Sequence, residues 1–203
     1  FEGLAENGVQ VFRGIRYGID TAQTRFRAPL PAIRANGVVR AVQAGPACPQ
    51  RSSTAGPQSE DCLFLNIWTP VVDARARRPV MVYFHGGAYS TGSGNDPLTD
   101  GATLATTGDV VVVTVTHRLN VFGYLSLARL DARYPDSGNT GQLDLVLALK
   151  WVRDNIAAFG GDPANVMLFG QSGGGAKIAT LMAMPAAAGL FHKAATMSGQ
   201  QVT

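Results

Sequence analysis

One serine in the chain has the neighbours a nucleophile requires. Ser172 is the centre of Gly170-Gln171-Ser172-Gly173-Gly174, preceded by the apolar run Val166-Met167-Leu168-Phe169 and followed by a helical stretch. A G-x-S-x-G pattern between a buried strand and a helix is a sharp turn that lifts the serine hydroxyl clear of a sheet. A side chain at Gly170 or Gly174 is expected to collide with the neighbouring strand or helix. The helix beginning at the serine aims its free N–H groups and positive end at the hydroxyl, where negative charge develops during attack on a carbonyl. Because the chain holds 24 glycines, the five residues carry weight only through this strand–turn–helix setting.

Charge that develops on a carbonyl oxygen needs donors. The run Val80-Met81-Val82-Tyr83-Phe84 ends in His85-Gly86-Gly87-Ala88, a turn of small residues that lets backbone N–H groups approach a substrate closely. Loss of one such donor costs about 3–4 kcal/mol of transition-state stabilisation. The two motifs in this order are far more specific than either alone. A general base and its acid are the remaining parts, ordered after the serine in this kind of turn. After Ser172 the sequence has no Asp, no Glu and one histidine, His192, twenty residues on. His85 reads as a turn residue and His117 as a structural residue after a strand. None of the three is expected to be the base.

The elements that position these residues are legible as short apolar runs. Phe1 to Ile19 reads as short strands with Gly8, Gly14 and Gly18 as turns, and residues 20–60 as an ordered but irregular segment. Leu63, Leu65 and Ile67 share one face of a strand. Val80–Phe84, Val110–Thr116, Val166–Phe169 and Ala194–Met197 are continuous enough for strands covered on both faces of a parallel sheet. Between the second and third, Leu145, Leu149, Val152, Ile156 and Phe159 recur at helical spacing, with Leu143, Leu147 and Trp151 widening the apolar surface. Gly160-Gly161-Asp162-Pro163 is the stop signal. Strand, helix, strand, helix, strand is an α/β pattern.

Composition narrows the function classes. With 46% hydrophobic and 15% charged residues, 203 residues suit one globular domain or part of a larger one. The net charge of +3 comes from scattered cations, and Arg75, Arg77 and Arg78 read as a solvated loop, so no nucleic-acid surface is expected. No apolar run approaches the roughly 18 residues of a membrane span. Thirteen residues separate Cys48 from Cys62. They could close a loop worth ~3 kcal/mol in an oxidising compartment, or remain two buried thiols in a reducing one. A zinc site is not expected, since no histidine lies near either cysteine.

Taken together, the motifs resemble the type-B carboxylesterase family, which includes the cholinesterases. The likeness runs along nearly the whole chain: Val11-Phe12-Arg13-Gly14-Ile15, Arg25-Phe26-Arg27-Ala28-Pro29, Glu60-Asp61-Cys62-Leu63-Phe64-Leu65-Asn66, the His85 turn, Asn155 through Pro163, and the Ser172 pentapeptide. The resemblance implies an α/β-hydrolase fold: the N-terminal part of a mostly parallel central sheet with flanking helices and a small N-terminal antiparallel sheet. Residues 1–203 would be the N-terminal portion of a single such domain, with its C-terminal portion outside this sequence. Ser172 would be the acylated nucleophile, and the backbone N–H groups of Gly87, Ala88 and Gly173 the oxyanion donors. Cys48 and Cys62 would form the family's first disulfide loop, Arg25 and Glu60 a buried ion pair behind the site, and Ser198 would sit where the triad acid arrives.

The implied activity is hydrolysis of a small-molecule carboxylic ester, without cofactor or metal. The acid and histidine would come from the remainder of the domain. The alternatives are a non-catalytic binding or adhesion module of the same family, which the retained serine argues against, and the same acyl chemistry on amides or lactones. A disulfide would favour a secreted or periplasmic protein, and free thiols a cytoplasmic one. Two features depart from the family pattern. Gly18–Thr24 replaces a Pro-rich segment, and His117 stands where many relatives carry Tyr.

Overall fold

The apolar runs pair into one seven-stranded sheet. A computed structural model describes residues 1–51 and 56–199. Its strands are β1 (Leu4–Glu6), β2 (Val9–Arg16), β3 (Phe64–Thr69), β4 (Arg78–Phe84), β5 (Val111–Val115), β6 (Gly161–Gln171) and β7 (Lys193–Met197), ordered β1-β2-β3-β5-β4-β6-β7. The pairs β1–β2, β2–β3 and β3–β5 are antiparallel, whereas β5, β4, β6 and β7 are mutually parallel. The expected small N-terminal antiparallel sheet, β1 to β3, is continuous with the central one, joined where Leu65 lies opposite Val115. Gly8 turns the first hairpin with Asn7, both at positive φ. Gly14 is not a turn. It sits inside β2 at a register shift, with φ 69° and the Gln43 carbonyl where a Cβ would stand. Gly18 bridges Pro31.

The helices are α1 (Ala102–Gly108), α2 (Asn120–Tyr124), α3 (Thr140–Asn155) and α4 (Gly173–Ala183). The periodic residues of α3 are buried as expected, and after Asn155 the chain tightens into one 3-10 turn, Ile156–Phe159. Gly160, at φ 86°, ends it. Gly161 already pairs with Arg78, so β6 begins before the apolar run that marks it in the sequence.

Val80, Val82 and Phe84 of β4, Val111, Val113 and Val115 of β5, and Val166 and Leu168 of β6 pack against α3 and against Ile178 and Leu181 of α4. Each fully buried aliphatic side chain here contributes about 1.5–3 kcal/mol. On the other face, α1 covers Val9, Val11, Trp68 and Val112. Met81 packs against this second cluster, while Tyr83, Met167 and Phe169 stay half-buried and β7 is largely exposed among the described residues. Of the four runs expected to be covered on both faces, β5 is so covered by the described residues.

β4 leads through α1 to β5 on one side, and β5 then leads through α3 back across β4 to β6. The direction of winding reverses between β4 and β6, so their carboxyl ends flank the crevice where open α/β sheets bind ligands. Arg118, just past β5, fixes this arrangement from inside. Its guanidinium donates to Asp144 of α3 at 2.6 and 2.9 Å, its backbone N–H donates to the same carboxylate at 3.0 Å, and its Nη1 holds the Arg27 carbonyl at 3.0 Å. Both side chains are buried, at 2% and 0% exposure. Arg78 also departs from expectation. It opens β4 and bonds Asp109 at 2.6 Å, whereas Arg75 and Arg77 are exposed.

Arg118→Met would leave the Asp144 carboxylate buried without its cation. Urea unfolding of the full-length protein is expected to show a loss of ~3–5 kcal/mol. A loss below about 1 kcal/mol would mean that water or another group satisfies Asp144.

Candidate active site

Ser172 follows β6 and caps α4, at φ 56° and ψ −124°. A non-glycine residue rarely takes a positive φ, and holding one there stores about 1–3 kcal/mol. The surroundings that hold it are mostly backbone. The Ser172 N–H donates to the Met197 carbonyl at 2.7 Å, and its carbonyl accepts from Ala176 at 3.1 Å. A Cβ on Gly170 would stand 2.7 Å from the Phe84 carbonyl oxygen, and one on Gly174 would be closer still. The collisions expected from the sequence are therefore with the end of β4, onto which the elbow is pressed.

The turn after β4 faces that elbow. Gly87 and Ala88 are consecutive left-handed residues, at φ 79° and 52°. A side chain on Gly87 would strike Thr91, whose N–H, like that of Ser90, donates to the Gly87 carbonyl at 3.1 Å. The Ala88 nitrogen lies 2.6 Å from where a Cβ of Gly173 would stand. The structure thus brings Ser172, Gly173 and the Gly87–Ala88 turn together.

Three polar side chains that sequence reasoning missed hold this turn from outside. Gln50 donates to the Gly92 carbonyl and accepts from the Gly92 N–H, both at 2.8 Å, and bonds the Cys48 carbonyl at 3.1 Å. Asn120, at φ 54°, donates from Nδ2 to the Ser90 carbonyl at 2.9 Å and the Pro49 carbonyl at 3.1 Å, and from its N–H to Tyr89 at 2.8 Å. Cys48 and Cys62 form a disulfide with Cα atoms 5.1 Å apart, both buried, which anchors the segment carrying Pro49 and Gln50. The third is Lys177, on the first turns of α4, whose Nζ donates to the His85 carbonyl at 3.1 Å. A lone Lys among small and apolar residues, five after Ser172, was the available signal for it.

The histidines behave as the sequence suggested. His85 and His117 are buried and stack with ring centroids 4.6 Å apart. Each places Nδ1 2.9 Å from a carbonyl, of Gly86 and Arg118 respectively, which assigns the proton to Nδ1 in the neutral ring. Burial, and then the charge of Lys177, lower the His85 pKa to about 3 and that of His117 well below the ordinary range. Burial lowers Lys177 to about 7. His192 is exposed and accepts from the Val166 N–H at 3.1 Å, toward the end of β6 remote from Ser172.

Arg25 and Glu60 do pair, at 2.6 Å from Nε to Oε2, but the Arg25 side chain is 55% exposed. The pair is not buried, so the costly buried pair of this chain is Arg118–Asp144 instead. Glu60 is tied by its carbonyl to Thr21 and Cys62, away from the elbow. Ser198, at φ 54°, lies exposed at the end of β7, between Met197, which accepts from Ser172, and Gly199, which packs against the Ser172 carbonyl. Among the described residues no group of His, Cys, Asp and Glu could hold a metal ion.

A mostly parallel sheet flanked by helices, with a serine elbow at its reversal point and a small-residue turn beside it, defines the α/β-hydrolase fold. Comparison with known proteins agrees. The family model described as "Carboxylesterase family" matches residues 2–203. The para-nitrobenzyl esterase of Bacillus subtilis is 48% identical over all of this chain and 42% of its own length. Carboxylesterase EST55 of Geobacillus stearothermophilus superposes with a TM-score of 0.92 at 46% identity, over 96% of this chain and 40% of that one. An esterase of Clostridium hathewayi, described as hydrolysing aliphatic aromatic polyesters, gives 0.89 at 50% identity, over 95% of this chain and 40% of that one. The chain belongs to the carboxylesterase family and spans about two fifths of the length of these relatives.

Gly174→Ala drives a methyl group into the Phe84 carbonyl. In the full-length protein it is expected to cost ~1–3 kcal/mol of stability by overpacking and to lower kcat, because the elbow must lift off β4. Unchanged kcat and melting temperature would show the contact to be slack. The imidazoles set an acid limit. Unfolded, they titrate near 6.5, but in the fold burial lowers His85 to about 3 and His117 well below the ordinary range, so below pH 6.5 the unfolded chain binds more protons. Stability present above pH 6.5 is therefore lost as the pH falls. The urea midpoint should decline over this window, and less steeply in His85→Asn, which keeps a donor at the Nδ1 position. Equal slopes in both proteins would assign the decline to other groups.

Proposed function

We propose that the full-length protein is a serine carboxylesterase acting on small-molecule carboxylic esters. The observation that carries this is the left-handed Ser172 at the start of α4, pressed against the Gly86–Ala88 turn. A histidine oriented by a carboxylate, both supplied from outside residues 1–203 by the remainder of the domain, takes the Ser172 proton as Oγ attacks the ester carbonyl. The oxyanion accepts hydrogen bonds from the N–H groups of Gly87, Ala88 and Gly173. The C–O bond to the alcohol then breaks, and the alcohol leaves with the proton held by the imidazole. Water, deprotonated by the same base, attacks the acyl-enzyme. The carboxylic acid is released and Ser172 recovers its proton.

Family membership and the names of the relatives support ester substrates. A binding or adhesion role would leave the strained serine without a purpose, since that conformation costs stability. The disulfide supports folding in an oxidising compartment, secreted or periplasmic, and no helix among the described residues is long and apolar enough to cross a membrane.

The test is a fluorophosphonate titration of the full-length protein. One equivalent is expected on the peptide carrying Ser172, and Ser172→Ala is expected to take up none and to lose about 10⁶-fold in kcat. Retention of most esterase activity in Ser172→Ala would sink the proposal.

A further inference from the structure

Lys177 is a basic side chain inside the protein without an acidic partner among the described residues. Its side chain is 0% exposed, and no acidic group among the described residues forms an ion pair with it. A residue of this kind detracts from stability, and the α4 position, between Ala176 and Ile178 against the core, would suit an apolar side chain. Helical side chains lean toward the N-terminus of their helix, and five residues after Ser172 that lean carries the ammonium under the site.

What it touches there is specific. Nζ donates to the His85 carbonyl at 3.1 Å and lies 5.6 Å from the centroid of the Tyr89 ring. Those two residues bracket Gly86, Gly87 and Ala88. The last parallel pairing of β4 with β5 is at Phe84, so the His85 carbonyl lies past the ladder. The His85 ring is fixed by its own bond to Gly86 and by stacking on His117. The elbow closes over the same peptide, since a Cβ on Gly174 would stand 3.1 Å from the His85 carbonyl oxygen. The direction of the His85–Gly86 peptide determines where the following N–H groups point.

We infer that Lys177 is a positioning residue for the oxyanion turn: by holding the His85 carbonyl and the Tyr89 ring, it fixes the direction in which Gly87 and Ala88 present their N–H groups. This role presupposes Ser172 as the nucleophile proposed above. Because a charged tetrahedral oxygen depends on donor direction far more than a ground-state ester does, the effect falls on kcat rather than KM.

The test uses the full-length protein with Lys177→Met and Lys177→Gln, each counted by fluorophosphonate titration so that rates refer to competent sites. Per-site kcat is expected to fall about 10-fold or more, short of the 10²–10³ for loss of a donor itself. KM should stay within about twofold, and the Ki of a trifluoromethyl ketone, which forms a tetrahedral adduct, should rise in step with the fall in kcat/KM. The Met variant should melt no lower than the wild type, since an unpaired cation has left the core. Lys177→Arg, which keeps a cationic donor, should recover most of the rate. Per-site kcat within twofold of wild type in whichever of the first two variants folds would overturn the role. So would a fall in kcat without a change in Ki. If neither variant folds while Lys177→Arg does, the residue serves the fold and the proposal fails. A wild-type protein that takes up no fluorophosphonate would instead refute the reading of Ser172, which separates the two failures.

Discussion

The site depends on a contact between two pieces of backbone. Gly170 and Gly174 let the serine elbow lie directly on the Phe84 carbonyl at the end of β4, at distances where any Cβ would intrude. β4 and β6 are hydrogen-bonded neighbours, so the residues leaving their carboxyl ends start about one strand spacing apart. Pressing the turns together brings Ser172 and Gly173 beside the Gly86–Ala88 turn. The contact itself is backbone on backbone, with Lys177 reaching across from α4 to the His85 carbonyl, and the geometry is set by peptide planes, which deform little. That suits a catalytic arrangement, in which a misplacement of about 1 Å can cost 10²-fold in rate.

Such a contact is strained, and the strain is offset over a wide area. Positive φ at Ser172, Ala88 and Asn120 lies within one neighbourhood. Around it, Gln50 and Asn120 tie the turn to the disulfide segment, while Asn66 ties the next loop to the sheet. Asn66 accepts from the Gly14 N–H at 2.9 Å and donates to the Gly94 carbonyl and to Asn95 at 3.0 Å. These bonds join segments 28 to 71 residues apart in sequence. The restraint therefore comes only with the complete tertiary structure, and an isolated hairpin or helix could not supply it.

This distribution explains what was legible in the sequence. The elbow and the turn were readable because glycine is nearly obligatory where two backbones touch, and α3 because one face of a helix repeats. The stretch Glu60-Asp61-Cys62-Leu63-Phe64-Leu65-Asn66 was readable as a family mark, and in the structure each of its polar members has a partner. Glu60 meets Arg25, Asp61 meets Arg16 at 2.7 Å, Cys62 meets Cys48, and Asn66 meets the loop after Gly92. The partners themselves were not legible. Asp144 and Lys177 interrupt apolar faces, where periodicity treats them as exceptions, and Gln50 lies in a segment with no period at all.

The buried polar residues divide by what they join. Arg118 and Asp144 satisfy each other almost completely and hold α3 to the end of β5, so the pair is self-contained and its removal is a matter of stability. Lys177 and the stacked histidines are not self-contained. The ammonium has one carbonyl and one ring, and both Nε2 atoms of the histidines lack hydrogen-bond partners among the described residues. Three under-satisfied polar groups in a protein interior cost more than apolar replacements would. They also lie directly beneath the turn that faces Ser172. Stability alone would remove them, so what they contribute is position: Lys177 places a fixed donor behind the Gly87–Ala88 turn. These groups thus stay under-satisfied beside the serine elbow, while the disulfide, the asparagines and the Arg118 pair hold the backbone around them.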